Sequence, residues 1–433
     1  MIYYILQQIN SICVCGVSMD NSNNDRKECT RLNPIAWQMN RLMDRQPSAD
    51  LEAFHPTVAQ SIQAYHATWP QYQITPLHAL SALAERWNLG GIFVKDESLR
   101  FGLNAFKGLG GTYAIGRYLS YSQGPNGGPL TAAHIKAQRS TMLPLTFATA
   151  TDGNHGVGVA WAARQLGHEA IVFMPQGTAA ARVDAVRAVG GQVEVTSFDY
   201  DHTVRWVAAQ ALQKGWVLVQ DTAWAGYQEI PLWVMQGYMT LLLEALQQLQ
   251  ERGVKKPTHV FLQAGVGSFA TAVTGLLANL YGPDLPIIII VQPTQTAAFL
   301  RTAAIGDGTL YPIEDPLKTI MAGLACGVPN PVAWEILKHW VTVFLSCSDE
   351  LAARGIRILA NPLQGDPPVV SGESGSVTLG VLSSLMENPS HQNLRNIVAL
   401  NAKSQVLLIS TEGMTDPTMY RKVVWDGTLP YEV

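Results

Sequence analysis

LTFATATDGNHGVGVAWAARQLG, Leu145–Gly167, is the stretch on which the fold turns. LTFATA (Leu145–Ala150) is an apolar run of strand length. Thr151–Asn154 is a glycine-bearing turn, and HGVGVAWAARQLG (His155–Gly167) reads as a helix stopped by a glycine. A strand that passes through a tight turn into a helix is half of a βαβ unit. The alternation continues on both sides. Upstream, IFVK (Ile92–Lys95) reads as a strand and FKGLGGTYAIGRYL (Phe106–Leu119) as a helix with a glycine-rich start. Downstream, strands are expected over Ala170–Pro175, Gln192–Thr196, Trp216–Gln220, His259–Gln263, LPIIIIVQP (Leu285–Pro293) and Val406–Ser410. Helices are expected over Ala179–Gly190, His202–Gln213, about Trp233–Glu251 and from Ser268. The expected class is therefore α/β, with mainly parallel sheets covered by helices on both faces. Ligands in such sheets sit beyond the carboxyl ends of the strands.

A chain of 433 residues has room for two domains. With 47% hydrophobic and 14% charged residues it can bury a large core. A formal charge of -4, without a basic block, argues against nucleic acid as a partner. LPIIIIVQP is too short to span a bilayer and reads as a buried strand, so no membrane partner is expected. The opening MIYYILQQINSICVCGVSMD is apolar but has no basic start, and Gln7, Gln8 and Asn10 interrupt it. It is expected to precede a natural start near Met19. Cys13, Cys15, Cys29, Cys326 and Cys347 show neither metal-ligand nor disulfide-framework spacing, which fits reduced thiols in the cytoplasm. No metal site is expected.

Four loops carry the chemistry. In KDESLRFGLNAFKGLGG (Lys95–Gly111), Lys107 opens a helix in an apolar setting. Desolvation and the positive helix end would favour the neutral amine that Schiff-base chemistry needs. A lone lysine there is more often an ordinary surface residue. In TDGNHG, Asn154 lies between Gly153 and Gly156, on a turn that offers N–H groups to an anion such as a substrate carboxylate. A helix cap by Asp152 or Asn154 explains the same residues equally well. In LQAGVGSF, the strand runs into Gly265, Val266, Gly267 and Ser268 and then a helix, the pattern of a phosphate cradle. It is neither G-x-G-x-x-G nor a P-loop. In VLLISTEG, a strand ends at Ser410 and Thr411, which alone is only a strand-end turn.

Together, and in this order, these loops resemble the fold-type II pyridoxal-phosphate enzymes, the tryptophan synthase β and threonine dehydratase group. KDESLRFGLNAFK, ATATDGNHGVGVAWAA, VQDTAW, LQAGVG, IMAGLACG, SGESG and ISTEG sharpen the resemblance to the diaminopropionate ammonia-lyases, from about Tyr72 to Gly427. The resemblance implies two domains, each with a twisted, mainly parallel sheet flanked by helices, and an active site in the cleft between them. Residues 1–50 would be an N-terminal extension, 51–115 and 226–433 a large cofactor-binding domain, and 116–225 a small domain. It implies pyridoxal 5'-phosphate as cofactor, held covalently by Lys107. Asn154 would meet the ring hydroxyl oxygen and Gly265 to Ser268 the phosphate. Ser410, with Thr411 as the fallback, would face the pyridine nitrogen. A neutral hydroxyl there suits elimination over transamination. Thr151, Gly153 and Asn154 would bind the substrate carboxylate. Asp152 and Asp221 would be the catalytic bases, for the D- and L-isomer respectively. The reaction implied is α,β-elimination of 2,3-diaminopropionate to pyruvate and two ammonia, carried out by a homodimer. Two other readings stay open: a serine or threonine dehydratase or other β-elimination or β-replacement enzyme, and a non-catalytic protein that only binds the cofactor.

Overall fold

The structure is a computed structural model that describes residues 34–122, 128–139, 143–314 and 317–431. Met19, Cys13, Cys15 and Cys29 lie outside the described residues.

Eleven strands are formed among the described residues: β1 (Ile35–Met39), β2 (Leu77–Ala79), β3 (Gly91–Asp96), β4 (Thr146–Ala150), β5 (Glu169–Met174), β6 (Gln192–Val195), β7 (Val217–Leu218), β8 (His259–Gln263), β9 (Ile287–Pro293), β10 (Val343–Cys347) and β11 (Gln405–Ser410). They make a seven-stranded sheet in the order β1-β10-β9-β8-β11-β3-β2 and a four-stranded sheet in the order β6-β5-β4-β7. The interior pairs are parallel. β8 and β10 are buried along their whole length, as strands covered on both faces are.

Several elements differ from the sequence reading, which has no counterpart for β1, β2, β10 or the helices Pro331–Trp340, Asp349–Ala360 and Glu373–Glu387. Both edges of the large sheet are antiparallel: β1 against β10, and β2 against β3. β1 falls inside the extension expected over 1–50. There Ile35–Met39 pairs with Val343–Cys347, some 300 residues away in sequence. The strand expected over Trp216–Gln220 keeps only Val217–Leu218. Beyond it the Gln220 side chain takes over the strand's role, accepting from the Ala150 N–H at 3.0 Å and donating to the Ala150 carbonyl at 2.9 Å.

The helix Gly108–Tyr121 packs on the helices Asn154–Gln165 and Glu229–Glu251. Gly158 makes the first contact possible: a Cβ there would lie 2.9 Å from the Lys107 carbonyl oxygen. The backbone that carries Lys107 is thus pressed against the start of the Asn154 helix.

Under the β3–Lys107 connection lies a dry ion cluster. Lys95 Nζ is 2.7 Å from Glu244 Oε2, and Arg100 Nη2 is 2.7 Å from Glu244 and 2.8 Å from Glu97, with all four side chains at 0% exposure. Thr75 donates to Glu97 at 2.6 Å. Removing one member of such a cluster strands the others without compensation. Glu244→Ala is expected to destabilise the fold by about 3–5 kcal/mol, read as the change in denaturant midpoint at constant slope. A loss under about 1 kcal/mol would mean the cluster contributes no more than a surface pair.

Candidate active site

Five strand ends open into one cavity. Beyond β3 comes Lys107, beyond β4 come Asp152 and Asn154, beyond β7 comes Asp221, beyond β8 come Gly265 to Ser268, and beyond β11 come Thr411 and Glu412; all of them line it.

Lys107 sits at the start of its helix, its Nζ 5.5 Å from the centre of the Phe106 ring and 5.9 Å from that of Tyr238. It donates to the Asp221 carboxylate. Burial opposes the ammonium charge, but Asp221 outweighs it and holds the lysine above its ordinary value. The expectation of a neutral amine is therefore corrected: the sequence shows the helix end but not the carboxylate facing it. Burial likewise pushes the Asp221 carboxyl up, yet the charges of Lys107 and His155 and the hydrogen bond from Lys107 bring it down to about 2. The main chain of Asp221 is tied to the glycine loop, because Ser268 Oγ donates to its carbonyl at 2.5 Å.

Asp152 behaves in the opposite way. Burial raises its carboxyl, and the opposing charges of Arg182 and Lys107 do not cancel the effect. Arg182 Nη1 lies 3.2 Å from Asp152 Oδ2, and its Nη2 donates to Thr415 Oγ1 at 3.2 Å. Two carboxylates in one cavity are thus pushed in opposite directions by different neighbours, Arg182 beside Asp152 and Lys107 beside Asp221.

Gly267 has φ +99°, a left-handed conformation, and a Cβ there would meet the Phe299 ring at 2.6 Å. The loop Gly265–Ser268 delivers the positive end of the helix Ser268–Tyr281 to the cavity. Asn154 Nδ2 donates to Glu412 Oε2, which joins the turn after β4 to the turn after β11.

Other expected residues are placed differently. The Ser410 hydroxyl turns away and donates to Ser371 Oγ at 2.7 Å. Its neighbour Thr411 lines the cavity, and its Oγ1 accepts from Gln263 Nε2 at 2.9 Å. Of the two hydroxyls only that of Thr411 belongs to a residue lining the cavity, as expected where successive residues of an extended chain point to opposite sides. Thr151 and Gly153 do not line the main cavity. Thr151 is 1% exposed, and its Oγ1 accepts from the Gly153 and Gly156 N–H groups at 2.9 and 3.4 Å. It therefore shapes the turn instead of offering its hydroxyl, and of the three residues expected for a carboxylate only Asn154 reaches the main cavity.

Sequence reasoning did not assign Glu412, Arg182, Gln263, Tyr200 or Ser374. Glu412 and Ser374 stand in quoted motifs, ISTEG and SGESG, and were within reach. Arg182 carries no local signal; its partners are 30 and 233 residues away.

The residues present suit pyridoxal phosphate: a lysine amine, a glycine loop at a helix start, an amide from Asn154 and a neutral hydroxyl held by a buried glutamine. The family model described as pyridoxal-phosphate dependent enzyme matches residues 68–401. The chain is 47% identical over 382 residues to the diaminopropionate ammonia-lyase of Salmonella typhimurium, covering 88% of this chain and 95% of that protein. A crystal structure of holo diaminopropionate ammonia lyase from Escherichia coli superposes with a TM-score of 0.86 at 46% identity, covering 92% of this chain and 98% of that one. The Escherichia coli enzyme in complex with an aminoacrylate–PLP azomethine intermediate superposes with a TM-score of 0.83, at the same identity and coverage.

Proposed function

Because the chain belongs to the pyridoxal-phosphate dependent enzymes and, among them, to the diaminopropionate ammonia-lyases, we propose that Lys107, Asp152 and Asp221 carry its reaction. The protein is a carbon–nitrogen lyase. It uses pyridoxal phosphate to eliminate ammonia from 2,3-diaminopropionate, giving pyruvate and, after hydrolysis, a second ammonia. The assignment of residues rests above all on one observation: a buried lysine amine shares its cavity with two carboxylates of oppositely shifted acidity.

Lys107 would hold the cofactor through Nζ. The N–H groups of Gly265 to Ser268 would take its phosphate, Asn154 its ring oxygen and Thr411 its ring nitrogen. When bound, the cofactor supplies an electron sink that acidifies the substrate α-proton. The protein's part is to bind, orient and move protons. Asp152 takes the α-proton presented on one face, that of the D-isomer, and Asp221 the proton on the other face, that of the L-isomer. Once its nitrogen is released from the cofactor, Lys107 is held by Asp221 in the position from which it reattaches. Asn154, fixed by Glu412, directs the substrate carboxylate. Expulsion of the β-amino group as ammonia needs no added proton donor, since the group enters as an ammonium.

The larger body over 51–115 and 226–433 and the smaller one over 116–225 form part of the same proposal, as do the homodimer and the cytoplasmic location; the family resemblance and the thiol usage support them. No helix among the described residues is long and apolar enough to cross a membrane.

The test is a visible spectrum of the purified protein before and after adding diaminopropionate, with pyruvate and ammonia counted. A cofactor band that shifts, and two ammonia per pyruvate, are expected. Faster turnover of serine than of diaminopropionate would move the reading to a dehydratase.

Gly267→Ala tests the phosphate loop. A methyl group there meets the Phe299 ring and forces a non-glycine residue into left-handed backbone, at a cost of about 1–3 kcal/mol. Cofactor binding is expected to weaken roughly ten- to hundredfold, measured by titrating the apoenzyme with pyridoxal phosphate. An unchanged affinity would remove the loop from the phosphate site.

A further inference from the structure

A second cavity, of about 1000 Å³, shares Asp152 and Tyr200 with the main one. Six of its lining residues are Asp or Glu and three are Lys or Arg. Glu373, the first residue of the helix Glu373–Glu387, lines it although only 1% exposed. Both of its carboxylate oxygens are buried, and neither has a hydrogen-bond partner from another described residue; only the residue's own N–H approaches them. Burial first, and then the charge of Glu412, hold this carboxyl above the usual range.

The nearby cation is already committed. Arg182 bonds Asp152 and Thr415, and its charge also faces Glu412, Glu373 and Asp416. One guanidinium thus serves four carboxylates. A buried anion without a partner is costly, and a cationic group placed against it removes that cost.

We propose that Glu373 is a specificity-determining residue that receives the second ammonium group of diaminopropionate, on the wall of this cavity, which Asp152 also lines. The inference rests on the diaminopropionate reading above and adds the group that sorts this substrate from serine. Serine brings a neutral hydroxyl to the same place and leaves Glu373 unpaired. Diaminopropionate brings a positive nitrogen with three donors, which forms charge-assisted hydrogen bonds to a carboxylate. A site built around a charged contact rejects the analogue that lacks it.

The experiment compares Glu373→Gln and Glu373→Asp with the wild-type holoenzyme, on both isomers of diaminopropionate and of serine. Glu373→Gln keeps the shape and removes the charge. The ratio of kcat/KM for diaminopropionate to that for serine is expected to fall about 10–100-fold, with the loss on KM more than on kcat. Glu373→Asp should recover part of it. An unchanged ratio in Glu373→Gln overturns the proposal and leaves Glu373 as a neutral structural acid. A wild-type enzyme that does not turn over diaminopropionate defeats the underlying reading instead, before any variant is made. Should neither variant keep its cofactor band, the wild type still decides. At pH 7, added KCl should depress kcat/KM for cationic diaminopropionate and spare zwitterionic serine; equal salt slopes overturn the proposal.

Discussion

Lys107→Ala should lose both the visible absorbance of covalently held pyridoxal phosphate and the lyase activity, with kcat/KM falling on the order of 10⁴–10⁶-fold. The lysine has two roles to separate, because it also neutralises buried Asp221. Lys107→Arg separates them: it keeps a positive charge for Asp221 but cannot form the Schiff base. Equal loss of activity in Lys107→Ala and Lys107→Arg, with the fold kept in Lys107→Arg, is the expected pattern. Small amines added to the alanine variant should restore part of the turnover. A Lys107→Ala protein that stays yellow and keeps its activity would end the assignment.

The second large effect is a crossover between isomers. Asp152→Asn should lower kcat on D-diaminopropionate about 10²–10⁴-fold, the usual share of a positioned base, while L-diaminopropionate suffers much less. Asp221→Asn should do the reverse, with an added cost because it leaves the Lys107 ammonium buried without its partner. The structure supports two separate bases because the carboxylates stand in different electrostatic surroundings: Asp152 beside Arg182 and Asp221 beside Lys107. Since burial raises Asp152, activity on the D-isomer should fall with decreasing pH at a value above the ordinary aspartate value of about 3.9. Parallel losses on both isomers in both variants would mean that one base serves both faces.

Much of the site could be read along the chain because each of its pieces is local. An apolar run of five or six residues, a glycine turn and an amphipathic helix identify themselves within some twenty residues. β8 is expected over His259–Gln263 and is observed there, since the apolar Val260–Leu262 at its centre is followed closely by the glycine turn that ends the strand. β1 was missed for the opposite reason. It is a five-residue edge strand whose hydrogen-bonding partner lies in β10, and nothing in IAWQM announces that partner. Adjacent hydroxyl residues look alike in a string, whereas the end of β11 gives Ser410 and Thr411 different partners, Ser371 and Gln263.

The sequence by itself determined the βα alternation, the order of lysine, asparagine, glycine loop and hydroxyl, and hence the kind of cofactor this chain takes. These depend on backbone preferences and on residue types a few positions apart. Only the tertiary structure decided which charges meet: Lys107 with Asp221 across 114 residues, Arg182 with Asp152 across 30, and Asn154 with Glu412 across 258. Electrostatic energy follows distance through space and the local exclusion of water, and neither is a property of position along the chain. That is why the electrostatic surroundings of the lysine and the two aspartates exist only once the sheets have brought their strand ends to one place.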